Sequence, residues 1–291
     1  MTNHRTPRTL IIGDVHGMSE ELVELFRATG LSTEDRVIFT GDLVDKGPHS
    51  NAVVRHARSL REQGVEVILV LGNHEQKHAH LRKALAAAGV KGIKKIKGWE
   101  EILRITQNLS EQDIAFLDSA IPFLELPEFD ALVVHGGIPG DIDSLDASDK
   151  GIVSRLLRTR HVRGKTQQSF TIEFTVEGDG TFNIPDLVKQ ATEAKPVRSS
   201  RKEKGSFLSL GTETEADPFW AEVYDGRFGH VFFGHSPFIG SEPARFPHAT
   251  GLDTGCVFGG HLTAAVLEEG QEPRFVSVPA SGKFATSLWE E

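Results

Sequence analysis

Five short stretches of this sequence place metal-ligating or proton-carrying side chains directly after a β-rich run: Gly13-Asp14-Val15-His16-Gly17, Gly41-Asp42-Leu43-Val44-Asp45-Lys46-Gly47-Pro48, Gly72-Asn73-His74-Glu75, His135-Gly136-Gly137 and Gly234-His235-Ser236-Pro237. Side chains two apart on an extended segment face the same way, so Asp14 and His16 can converge on one ion. Singly, each stretch has an ordinary explanation, such as an exposed polar turn, a loop with a capping aspartate or a helix N-cap at Asn73. Together they do not, because independent polar loops have no reason to repeat one ligand set at one structural position. Carboxylate, imidazole and amide oxygen without thiolate suit Mn, Fe, Zn or Mg. Asp42 is the natural bridge between two ions. Such a pair, ~3.5–4 Å apart, lowers the pKa of a bridging water and stabilises both the attacking and the leaving oxygen of an in-line displacement at phosphorus.

The elements that must position these groups are strands over Thr9 to Ile12, Arg36 to Thr40, Val65 to Leu71, Ala131 to Val134 and His230 to Phe233. Between the first two, Ser19 is expected to cap a helix carrying Leu22, Leu25 and Phe26 on one face, with Gly30 ending it. Asn51 to Gln63 reads as a second helix with Val53, Ala57 and Leu60 on one side. Alternating strand and helix predicts α/β layering, where ligands collect at the carboxyl ends of strands. The middle differs. Phe170, Ile172, Phe174 and Val176 alternate with polar residues before the turn EGDGT (177–181), which predicts a small β element. Glu193 to Glu215 is rich in Lys, Glu, Ser and Thr. Residues 150–216 therefore read as an insertion within one domain spanning 1–291, either a lid with a mobile segment or a plain solvated loop.

Of 291 residues, 38% are apolar and 25% charged, enough for a substantial core. A net charge of -9 argues against stable binding to nucleic acid or anionic membrane, which needs clustered Lys and Arg. A phosphate-bearing substrate must then be attracted locally, and bound ions would supply that field. MTNHRTPRTL lacks an apolar signal region and no stretch approaches the ~18 apolar residues of a membrane span, so a cytoplasmic protein is expected. Cys256, the only cysteine, excludes an internal disulfide or thiolate cluster and reads as a buried small hydrophobe.

The ordered series GDVHG, GDLVDKG, GNHE, HGG and GHSP resembles the calcineurin-like metallophosphoesterases, in the branch that contains the serine/threonine phosphoprotein phosphatases and the symmetrical diadenosine tetraphosphate hydrolases. It covers roughly residues 9–138 and 218–278, leaving 139–217 unplaced. The stretch from Leu252 to Ala264 is similar to the matching segment of bacterial diadenosine tetraphosphate hydrolases. The resemblance implies an α/β sandwich of two β-sheets flanked by helices, and two divalent ions, manganese foremost, with Fe, Zn, Mg or Co as alternatives. It implies that Asp14, His16 and Asp42 hold the first ion and that Asp42, Asn73, His135 and His235 hold the second. His74 becomes the general acid for the leaving oxygen, oriented by Asp45. Lys46 stands where the protein phosphatases carry a phosphate-clamping arginine, and an ammonium cannot make a planar two-point contact. That departure favours nucleoside polyphosphates such as diadenosine tetraphosphate, or polyphosphate, over phosphoproteins, with protein serine/threonine phosphatase as the alternative. Arg158 or Arg160 is the candidate second phosphate clamp, unless both mark a solvated basic helix end.

A phosphodiesterase is disfavoured because many such relatives carry Gly-His-x-His at the last motif, where this chain has Gly-His-Ser-Pro. A silent scaffold has no physical need for His74 beside a ligand. His78, His80, His248 and His261 are assigned to the surface. Asp253 either hydrogen-bonds near the site or shapes a turn. Nothing in the sequence fixes an oligomeric state.

Overall fold

Strands β1 (Thr9–Ile12), β2 (Arg36–Phe39) and β3 (Glu66–Leu69) run parallel, each a short apolar run followed by a glycine-bearing turn. The computed structural model describes residues 7–164, 207–208, 213–214 and 216–286. Further along the chain come β4 (Phe123–Leu126), β5 (Ala131–Val134), β6 (Arg163–Gly164), β7 (Phe207–Leu208), β8 (His230–Phe233), β9 (Ala244–Phe246), β10 (Ala249–Gly251), β11 (His261–Leu267) and β12 (Arg274–Pro279). One five-stranded sheet has the order β12-β11-β1-β2-β3, a second β4-β5-β8-β10-β9, and β6 pairs with β7 alone. Both large sheets are mixed. β11 runs antiparallel to β1, with Thr9 opposite Leu267, whereas β5, β8 and β10 are parallel to one another.

The two-residue period of a strand decides which core each side chain enters. Ile11, Ile38, Val133, Phe232 and Ala265 form the layer where residues of the two sheets meet. Their neighbours Ile12, Phe39 and Ala264 turn the other way, onto Leu22 and Leu25 of α1 (Ser19–Thr29) and Val53 and Ala57 of α2 (Ser50–Glu62). On the second sheet Leu132, Val134 and Phe233 pack with Trp220. Because both faces are covered, these strands are apolar throughout rather than alternating. The implied sandwich of two sheets flanked by helices is what the structure shows.

The remaining helices are α3 (Asn73–Ile93), interrupted at Gly89 by a φ of 58°, α4 (Trp99–Gln107), α5 (Glu111–Asp118), α6 (Lys150–Leu156) and α7 (Trp220–Val223). Leu81, Ile93 and Ile102 join α3 to α4 in a small core of their own. One local expectation changes. Met18 is the N-cap of α1 and Ser19 its first helical residue, while Gly30 ends it in the left-handed conformation as expected. The expected β run over 170–176 lies outside the described residues.

Arg8 locks the start of this architecture. Its guanidinium donates to Asp35 Oδ2 at 2.7 Å and to the Thr29 carbonyl at 3.0 Å, tying β1 to the end of α1 and the start of β2. Both side chains of the ion pair are almost fully enclosed.

Candidate active site

The turns leaving β1, β2, β3, β5 and β8 converge, so the two sheets deliver their polar groups to one place. Among the described residues six non-glycine residues have positive φ, and five of them are here: His16, Asp42, Asp45, Lys46 and His235. A left-handed residue costs roughly 1–2 kcal/mol, and such strain gathers where function over-determines the backbone. Space is equally tight. A Cβ on Gly234 would stand 2.0 Å from Asp14 Oδ1, and one on Gly72 would stand 2.2 Å from Asp42 Oδ1, so only glycine lets these carboxylates approach.

Asp42 sits at the centre. Its Oδ2 lies 3.5 Å from His16 Nε2 and its Oδ1 lies 3.4 Å from His135 Nε2. Asn73 Oδ1 is 2.9 Å from His135 Nε2 and 3.0 Å from His235 Nδ1. Asp14 Oδ2 accepts the His235 backbone N–H at 3.0 Å and lies 3.9 Å from His16 Nε2. All six side chains are buried. The outer ring nitrogens are fixed by the backbone: His16 Nδ1 donates to the Val44 carbonyl and His135 Nδ1 to the Thr40 carbonyl, both at 2.9 Å. Each Nε2 therefore turns inward, the arrangement that prepares an imidazole to ligate.

Electrostatics shows what the cluster wants. Burial pushes the Asp14 carboxyl up and neighbouring Asp253 adds to it, while Asp253 itself is pushed by burial to about 6. Burial also opposes the charge on Asp42, but His135, His74 and His16 outweigh it and hold that carboxyl well below its usual range. Burial lowers His135, yet Asp42 overrides it and lifts the imidazole to about 10. Buried carboxylates that repel one another around inward-facing nitrogens are a donor set matched to divalent cations. Two triads, His16–Asp42–His74 and Asp42–His135–His235, each bring three ligand atoms within 4.8 Å of one another. Ligands 2.0–2.2 Å from a shared ion stand roughly 3–4.3 Å apart, so the 3.4 and 3.5 Å contacts of Asp42 fit an ion on either side of it.

His74 belongs to one triad by distance, but its other nitrogen is engaged. Nδ1 is 2.7 Å from Asp45 Oδ2, while Nε2 is buried without a hydrogen-bond partner among the described residues, 3.9 Å from Asp42 Oδ2. Asp45 is held from two sides, since His78 Nε2 lies 2.9 Å from its Oδ1 and His78 Nδ1 lies 2.9 Å from Thr106 Oγ1 on α4. Burial raises the Asp45 carboxyl, but these two imidazoles outweigh it and keep it far below the usual carboxylate range. This corrects the surface assignment of His78, which is wholly buried. His80 and His248 are exposed and His261 half-buried, away from the ligand set.

Glu75 went unrecognised in the sequence. Its buried carboxylate accepts the N–H groups of Asp42 and Leu43, both at 2.8 Å, and of Gly72 at 3.1 Å, clamping the β2 turn to the start of α3. The available signal was the capping-box spacing from Gly72 to Glu75. Lys46 Nζ lies 3.2 Å from His16 Nε2. Arg160 donates to the His235 carbonyl at 3.0 Å and is at the site, whereas exposed Arg158 reaches Gln76 on α3 at 2.7 Å. Cys256 is buried, as expected.

Over 285 residues the chain is 26% identical to the bis(5'-nucleosyl)-tetraphosphatase PrpE [asymmetrical] of Oceanobacillus iheyensis, covering 94% of this chain and 93% of that protein. It is 29% identical over 269 residues to the symmetrical bis(5'-nucleosyl)-tetraphosphatase of Bordetella pertussis, covering 89% and 91% of the two chains. A solved structure assigned as a diadenosine tetraphosphatase shares the fold with a TM-score of 0.64, at 24% identity over 96% of each chain. The family of calcineurin-like phosphoesterases matches residues 7–238, a span that contains every candidate ligand described above. The chain belongs to that family and is a hydrolase of phosphoester or phosphoanhydride bonds.

Proposed function

We propose that this protein hydrolyses the phosphate chain of a nucleoside polyphosphate, diadenosine tetraphosphate being the representative substrate, in the cytoplasm and with two divalent ions, manganese foremost. The observation that carries this reading is Asp42, whose two oxygens face separate histidine groups at 3.5 and 3.4 Å. Asp14, His16 and Asp42 would hold one ion, and Asp42, Asn73, His135 and His235 the other. When bound, the ions supply Lewis-acid charge against the phosphate oxygens and lower the pKa of the attacking water.

The chain's own groups do the rest. Water oxygen attacks phosphorus, the bond to the leaving oxygen breaks, and a proton reaches that oxygen from His74 Nε2. Asp45 fixes the ring through Nδ1 and supports its charge, and Glu75 keeps Asp42 and His74 in register by gripping the backbone of both turns. Lys46 and Arg160 provide positive charge beside the substrate phosphates. Lysine at 46 favours a phosphate chain over a single terminal phosphate, because an ammonium attracts from several directions. The similar tetraphosphatases point to the same substrate class. Residues 150–216 are taken as an insertion in a single catalytic domain.

The deciding experiment is a product-resolved activity screen with manganese over diadenosine tetraphosphate, a nucleoside triphosphate, polyphosphate and a phosphopeptide, alongside metal analysis. A wild type that favours the phosphopeptide by tenfold or more makes the protein serine/threonine phosphatase reading the better one.

A further inference from the structure

His74 borders a pocket of ≈ 370 Å³ that opens between α3, α4 and the C-terminal segment at Phe284. That volume is within the range of small-ligand sites. Resting on the substrate reading above, we infer that this pocket seats the leaving nucleotide: Lys46, Lys77 and Lys97 face its phosphates and Phe284 stacks its base.

The direction follows from the chemistry. A general acid touches the leaving oxygen, so the departing fragment begins at His74 and extends into the space His74 borders. The opposite side of the reacting phosphorus belongs to Asp42 and the ligand set. What departs must be anionic, because Lys46, Lys77 and Lys97 line this space in a chain whose net charge is -9. Of the two acidic wall residues, Asp45 is engaged by His74 and His78, and Glu101 lies 3.9 Å from Arg104. Lys77 is three residues beyond His74 on α3, which places both on one helix face.

A planar group is indicated by Phe284, a phenyl ring left 46% exposed at the pocket wall. Its backbone is not loose. The N–H groups of Phe284 and Ala285 donate to the Val257 carbonyl at 2.9 and 3.1 Å, next to Phe258, whose ring lies 5.4 Å below Lys46 Nζ. The aromatic wall and the first lysine are thus carried by one turn. An exposed ring and three ammonium groups lining one pocket match a base and its phosphates, whereas the alcohol released from a phosphopeptide needs neither.

The test measures kcat/KM for diadenosine tetraphosphate, p-nitrophenyl phosphate and a phosphopeptide, with manganese, in wild type, Lys77→Ala and Phe284→Ala. Taking the ratio within each preparation cancels any inactive fraction. Each variant should lower the dinucleotide-to-aryl ratio about tenfold, mainly through KM. ADP, as inhibitor of aryl phosphate hydrolysis, should weaken by a similar factor while inorganic phosphate does not. A wild type that prefers phosphopeptides overturns the substrate reading and this assignment with it. A wild type that prefers the dinucleotide, with variants that keep that preference and bind ADP normally, overturns the assignment alone.

Discussion

His78 Nε2 lies 2.9 Å from Asp45 Oδ1, on the far side of the carboxylate that holds His74 at 2.7 Å. Thr106 on α4 completes a buried line of hydrogen bonds from the small α3–α4 core to the His74 ring. Freed of His78, Asp45 can rotate, and His74 loses its orientation without losing its chemistry.

His74→Asn should retain metal and slow hydrolysis by about 10²–10⁴-fold, less for substrates with very good leaving groups. His78→Ala should show the same pattern more mildly, roughly tenfold in kcat, plus about 1–3 kcal/mol of lost stability from the unpaired buried groups. His78→Gln, which restores a donor, should recover part of the rate. Rates for aryl and alkyl phosphates with parallel metal analysis decide the matter, and metal loss in His74→Asn would show it to be a ligand.

Asp42→Asn removes a negative charge from both proposed coordination spheres. Metal content and turnover should fall together, turnover by at least the ~100-fold that loss of a supporting group can bring. Atomic absorption on purified protein beside initial rates is sufficient. Full metal occupancy with near-normal rates contradicts the bridging role.

Lys46 bears on substrate class. Lys46→Arg should narrow the preference for phosphoanhydrides over phosphopeptides, and Lys46→Ala should raise KM and lower kcat for both. The comparison needs one substrate of each kind at fixed salt and manganese. An arginine variant with an unaltered preference would leave lysine without a selective role.

Asp35 tests stability rather than chemistry. Burial raises its carboxyl, but the hydrogen bonds and charge of Arg8 outweigh it and lower it below the usual aspartate value. A group whose folded pKa is depressed contributes stability above its unfolded pKa and loses it as pH falls through the folded value. Asp35→Asn should therefore destabilise by about 3 kcal/mol at pH 7, with the gap from wild type closing below about pH 4. Urea midpoints at pH 7 and pH 3 give both numbers, and an equal gap at the two would refute the ion-pair account.

Strands and the polar residues gathered at their ends were legible for one reason. β1, β5 and β8 have the predicted bounds because runs apolar on both faces stop where the polar motif starts. The antiparallel additions β4, β9 and β12 were not foreseen, since none of them leads into such a motif. His78 and Glu75 escaped for a subtler reason. Each makes its contacts through α3, and a helix start rich in His, Glu, Gln and Lys looks solvated until its partners arrive from elsewhere. His78 follows His74 by one turn, and that i, i+4 spacing was the signal for a shared face.

Asp14 and His235 meet across 221 residues, and β1 pairs with β11 from nearly the other end of the chain. Loop closure over such separations is slow relative to local helix and hairpin formation. Helices α1 to α5 and the β1–β3 layer can assemble from neighbouring sequence, but the catalytic pocket cannot exist until β8 and β11 are in place. During synthesis the protein would pass through a long stage with three of the first sheet's five strands in place and without His235 at the site. A polypeptide cut before β8 should therefore hold structure yet remain inert.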